Sequence, residues 1–73
     1  MKLGIYKHFK GHLIEVIGEA KHTETEEEMV VYWHLEEDGS KHQLWVRPKK
    51  MFLEKVSRDG KTQPRFEYIS PKL

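Results

Sequence analysis

Residues 29–48 read MVVYWHLEEDGSKHQLWVRP, two runs rich in β-branched and aromatic side chains around an Asp-Gly pair. In an extended chain, Met29, Val31, Trp33 and Leu35 fall on one side of the first run, and Val30, Tyr32 and His34 on the other. Both sides are apolar enough to be partly buried, which marks an interior strand. Glu36-Glu37-Asp38-Gly39-Ser40 then reads as a hairpin, because Asp-Gly suits a turn that needs positive φ. The strand Gln43 to Arg47 follows, and Pro48 ends it by removing a ladder donor.

The flanks agree. Gly4 to His8 is a short strand, and Phe9-Lys10-Gly11-His12 supplies a glycine for the next turn. Leu13 to Ala20 alternates, with Ile14, Val16, Gly18 and Ala20 on one side and Leu13, Glu15, Ile17 and Glu19 on the other. Thr23 and Glu26 have the spacing of a capping box, so the carboxylate-rich stretch here is expected to be a loop with one helical turn. Beyond Pro48, Met51 to Val56 reads as a short strand, Arg58-Asp59-Gly60-Lys61 as a second hairpin, and Arg65 to Ile69 as the closing strand. The expectation is one all-β domain over residues 1–73, a small barrel or roll of five or six short antiparallel strands with at most one helical turn.

A domain of 73 residues buries only roughly 60% of its unfolded surface. Its eight aromatic residues must therefore supply much of the core, and Trp45, mid-strand between Leu44 and Val46, is expected to be an anchor whose truncation costs about 3–5 kcal/mol. With no cysteine there is no thiol nucleophile and no disulfide framework, which suits a cytoplasmic setting. No signal-length or membrane-length apolar run is visible, so a soluble protein without membrane attachment is expected. The net charge of +1 divides unevenly: residues 1–38 hold four Lys/Arg against nine Asp/Glu, and residues 39–73 hold nine against three. Charge runs are most often solvated faces.

Two blocks could carry function: Trp45-Val46-Arg47-Pro48 with Met51-Phe52, and Pro64-Arg65-Phe66. Each sets an arginine, a planar fork of donors, between a ring and a proline. In one reading Arg47 and Arg65 lie across aromatic rings and pair with carboxylates of the acidic loop, holding strands together, which is the expected role. In the other they meet Tyr6, Tyr32, Trp45 and Phe66 in a groove that binds an anionic or extended ligand. His8 and His12, four apart, would share a helix face, but the turn glycine argues against a helix and no metal site is expected; His8 is read as a partly buried hydrogen-bonding ring. His22 and Glu24 could form an acid-base pair, but neighbours in sequence rarely converge, and pinning of the loop is the simpler role.

Taken in order, Tyr6-Lys7-His8-Phe9-Lys10-Gly11, His22-Thr23-Glu24-Thr25, Val30-Val31-Tyr32, Trp45-Val46-Arg47-Pro48, Met51-Phe52 and Pro64-Arg65-Phe66 closely resemble the bacterial family known as domain of unknown function 1653. The resemblance covers nearly the whole chain. It implies a small SH3-like β-roll, mostly a stand-alone cytoplasmic protein, and implies no activity. The reading that results is a binding module rather than an enzyme, with no cofactor. Its groove draws on Tyr6, His8, His22, Glu24, Tyr32, Trp45, Arg47, Arg65 and Phe66. A protein or peptide segment is the expected occupant. Nucleic acid, stacked on Trp45, Tyr32 or Tyr6 with phosphates on Arg47, Lys49, Lys50, Arg58 and Arg65, is the alternative.

Overall fold

The computed structural model describes residues 1–73. Seven strands and one short helix follow in the order β1 (Gly4–His8), β2 (Leu13–Lys21), β3 (Glu28–Leu35), β4 (Lys41–Pro48), α1 (Lys49–Phe52), β5 (Lys55–Arg58), β6 (Lys61–Pro64) and β7 (Phe66–Ser70). Five of them form one antiparallel sheet in the order β4-β3-β2-β1-β7, while β5 and β6 form a separate ribbon. The sheet does not close into a barrel: β4 and β7 are its edges. As the double-sided pattern of residues 29–35 implies, β3 is interior, flanked by β2 and β4.

Side-chain alternation sends Ile14 and Val16 of β2 and Val30 and Tyr32 of β3 to the same face, where they join Tyr6, Phe52 and Phe66 in the core. The core is stacked largely from rings. Phe52 lies parallel to Phe66 at 4.3 Å and edge-on to Tyr6 at 5.4 Å, offset and T-shaped arrangements that add to simple burial.

Several expectations change. The helical turn lies at Lys49–Phe52, in the stretch read as the start of a strand, so the strand shrinks to Lys55–Arg58. Pro48 serves as the N-cap residue and Leu53 N–H closes the turn onto the Lys49 carbonyl at 2.9 Å; Pro at a helix entrance forfeits no bond the helix would use. This single turn swings Phe52 back under the sheet. Residues 22–26 make a single turn, the Glu26 amide donating to the His22 carbonyl at 2.8 Å, with the His22 Nδ1 accepting the amide protons of Glu24 and Thr25. It does not extend into a helix because Glu26 takes a φ of 58° and the His22 amide bonds back to the Glu27 carbonyl at 2.9 Å, returning the chain to β3. The strand count exceeds five or six because Lys61–Pro64 has no apolar pattern and is held only by its hairpin to β5, a two-residue turn with Asp59 and Gly60 both at positive φ.

The largest correction concerns Trp45. It is 52% exposed, whereas Phe52 is 1% exposed and occupies the anchoring position. The physical reason is that β4 is an edge strand whose faces no second layer covers, so an apolar triplet there need not be core.

Candidate functional site

A concavity of about 410 Å³ opens on the core face of the sheet between β4 and the β1–β2 turn. Its floor is Tyr32 and Phe66, which are also core residues. From β4 come His42, Trp45 and Arg47, from β3 His34, and from the β1–β2 hairpin His8 and His12.

Register explains the convergence. Tyr32 pairs with Trp45 and Val30 with Arg47, so both β4 side chains rise on the core face. Between Leu35↔Lys41 and His34↔Gln43, β4 spends one residue more than β3, a bulge that turns His42 toward the cleft as well. The His8 amide donates to the His12 carbonyl at 2.8 Å and the Gly11 amide to the His8 carbonyl at 2.7 Å, a tight reversal that brings the two imidazoles together. His8 and His12 stack at 4.5 Å with planes 12° apart, and His34 continues the column 4.8 Å from His12. The lone pairs of the near-parallel His8 and His12 rings lie in nearly parallel planes and do not aim at one point, while the His34 ring is tilted 35° from His12.

The electrostatics are one-sided. No carboxylate lines the cleft. Arg47 holds its guanidinium 5.5 Å over the Phe66 ring, and no acidic side chain lies within ion-pair distance of it. His8 is 7% exposed, and burial, reinforced by His12, Arg47, Arg65 and Lys10, lowers its pKa to about 4. Its Nδ1 accepts the Lys10 amide proton at 3.1 Å, a bond only the neutral ring can make. Burial also lowers His12, helped by His34, Lys10 and Arg47. At neutral pH His8 and His12 are therefore uncharged, and Arg47 is the fixed charge of the site. The His34 Nδ1 is buried without a hydrogen-bond partner in the protein. Such a lining offers stacking faces, hydrogen-bonding imidazoles and one cation; its hydroxyl is that of Tyr32, and the carboxylate at its margin is that of Glu36, 3.4 Å from His42 Nδ1.

Of the nine residues expected in the groove, His8, Tyr32, Trp45, Arg47 and Phe66 line it. Tyr6 is buried in the core instead, its hydroxyl donating to the Lys2 carbonyl at 2.7 Å. His22 and Glu24 lie in the β2–β3 loop, at the far end of β2 from the His34 pairing, roughly 23 Å along the strand. His22 pins that loop through its Nδ1, and the capping oxygen is that of Thr25, which accepts the Glu27 amide proton at 3.2 Å. Arg65 is structural: its guanidinium donates to Glu54 at 2.8 Å, its amide to the Glu54 carbonyl at 3.1 Å, and its carbonyl accepts from Phe9 at 2.9 Å. The carboxylate partner is Glu54, not one from the acidic loop. His12, His34 and His42 were absent from the expected set. The alternation of residues 30–34 already put His34 beside Tyr32, but His12 and His42 enter by way of a turn and a bulge that leave no periodic signal.

The profile of a family described as "Protein of unknown function (DUF1653)" matches residues 4–68. A crystal structure of a protein of that family from Bordetella bronchiseptica is similar to this chain with a TM-score of 0.84 and 32% sequence identity, over 94% of this chain and 87% of that one. No curated protein sequence matches. Profile and structure agree over nearly the same residues, and this chain belongs to the DUF1653 family.

Proposed function

We propose that this protein is a binding module that holds an extended segment of another protein in the cleft between Trp45 and the histidine stack. The observation that carries this reading is a half-exposed tryptophan beside an arginine without a carboxylate partner, both at the rim of a preformed hollow. Exposed aromatic and arginine side chains are the groups that dominate recognition surfaces. A hollow formed before binding lowers the ordering cost for its ligand. The reading keeps the SH3-like, cytoplasmic setting that the family resemblance implies.

A protein segment is favoured over nucleic acid. Tyr6 and Tyr32 are buried and present no free face for a base. Lys49 is engaged with Glu19 at 2.7 Å and Arg65 with Glu54 at 2.8 Å. Single-stranded nucleic acid calls on successive stacking rings along a continuous basic track, and here one open ring and one unpaired guanidinium share the cleft.

The test is selection from a displayed random dodecapeptide library on the immobilised protein. Sequences retained by wild type should be released by Trp45→Ala. Retention that ignores the substitution would overturn the reading, as would an oligothymidylate that binds, with salt-dependent affinity, more tightly than any selected peptide.

A further inference from the structure

We propose that the occupant of this site binds as an added β-strand along β4, and that it is a segment of alternating acidic and β-branched residues. The inference rests on the reading of the cleft as a peptide site: the peptide backbone pairs with the outer edge of β4, beside the cleft, and the side chains of its cleft face reach over Trp45 and Arg47 toward the hollow. Strand β4 is eight residues long and forms one edge of the five-stranded sheet. Outside its ladder with β3, no backbone group from Lys41 to Pro48 bonds to another part of the backbone. An unpaired edge of this length is a template for another strand, and proteins ordinarily blunt such edges with proline, charge, bulges or covering segments. Here Lys41 and the bulge stand at one end of the strand and Arg47-Pro48 at the other, and between them Leu44, Trp45 and Val46 are 42%, 52% and 57% exposed.

The two faces of the edge specify the ligand. On the cleft face stand Trp45 and Arg47, with His42 added by the bulge; on the other, Leu44 and Val46 lie across from Trp33 and Val31. No acidic residue occurs between Lys41 and Arg47. A new strand therefore meets a cation and polar rings on one side and aliphatic surface on the other. Since cross-strand neighbours on each face interact as pairs, carboxylates on the cleft face and Val or Ile on the opposite face complement both. A second copy of this chain is a poorer match, because antiparallel pairing of two β4 edges aligns strands that each carry Lys41, His42 and Arg47 and no carboxylate of their own.

The probe is a blocked octapeptide of alternating Glu and Val, followed by amide-proton NMR and compared with its Lys-Val counterpart. Saturable shifts centred on residues 41–47 are expected with the Glu-Val peptide alone. N-methylation of alternate peptide bonds, which removes donors and leaves side chains untouched, should weaken binding at least tenfold, and so should Arg47→Gln. Equal binding of the N-methylated peptide, shifts centred on β7, no preference for Glu over Lys, or a concentration-dependent dimer closed through residues 41–47 would each overturn strand addition. If library-selected peptides depend on Trp45 yet tolerate N-methylation, strand addition fails while the cleft reading stands. If the Glu-Val peptide pairs along β4 with Trp45→Ala as tightly as with wild type, the cleft reading fails and edge pairing stands.

Discussion

Replacing Phe52 and Trp45 separately by alanine distinguishes the core from the binding surface. A domain of 73 residues is stabilised by roughly 4–11 kcal/mol at about 0.05–0.15 kcal/mol per residue. Phe52 is almost wholly buried, stacked on Phe66 at 4.3 Å, edge-on to Tyr6 at 5.4 Å and 6.1 Å from Tyr32. Its neighbours are ring systems fixed on strands of the sheet, which cannot collapse into the space a benzyl group leaves. Phe52→Ala should therefore lose both transfer energy and a cavity term, about 3–5 kcal/mol. At about 4–8 °C per kcal/mol for a domain of this size, the melting midpoint drops by 12 °C or more. Trp45 keeps half of its surface in water in the folded state. Truncation there forfeits roughly half of a full burial and leaves no closed cavity, about 1 kcal/mol. Urea unfolding followed by circular dichroism gives both values from the shift in midpoint at constant slope. A Trp45→Ala cost equal to or above that of Phe52→Ala would refute the assignment of Trp45 to the surface, and with it the cleft.

Acidification should destabilise the fold through the histidine stack. Unfolded His8 takes up a proton near its ordinary 6.5 and folded His8 only near 4, so its contribution is complete above about pH 6.5 and is lost between there and about pH 4, on the order of 2–4 kcal/mol. His12 is lowered in the same sense. Urea midpoints at pH 7, 5 and 4 should fall less steeply in His8→Gln, and parallel profiles would refute the stack as the cause. Arg65→Lys should cost about 1 kcal/mol by losing donors that bridge to Glu54, while Arg47→Lys should change stability by less than about 0.5 kcal/mol; the reverse order of urea midpoints would exchange their roles. Gly4 sits at φ 129°, and a Cβ there would lie 2.6 Å from the Ser70 carbonyl oxygen and 2.8 Å from Pro71 Cα. Gly4→Ala should therefore cost about 2 kcal/mol or more, since the blocking atoms are backbone of the Ser70–Pro71 segment and cannot rotate away; a thermal melt unchanged by the substitution would show that β1 and the end of β7 are not so closely held. Chelator should leave the melt of untagged protein unchanged, and stoichiometric zinc by elemental analysis would contradict the stacked, non-converging imidazoles.

Local sequence was sufficient wherever a backbone preference or a two-residue period acts alone. The alternation of Leu13–Ala20 and Met29–Leu35 determined two strands and the inward side of Ile14 and Val16, because successive side chains of an extended chain must point to opposite sides. A bulge between Val16 and Gly18 then exchanges the faces of β2, so that Glu19, rather than Gly18 or Ala20 as the alternation implies, lies across from the core residue Val30. The two Asp-Gly pairs determined both hairpins, because the conformations required there are ones most residues resist. The cleft floor was legible in the same way, since Tyr32 shares a face with Val30 and His34. Tertiary structure decided the rest. Whether Leu44-Trp45-Val46 is core or surface depends on which strands end the sheet, and the composition of a strand does not say what lies beside it. Lys49–Phe52 became a helical turn because Phe52 had to reach the ring cluster beneath the sheet. The histidine stack required His8 and His12 to meet across a reversal, His34 to lie opposite them on β3, and a bulge to turn His42 inward. These are long-range pairings, set by the packing of strands against one another and written in no single stretch of chain.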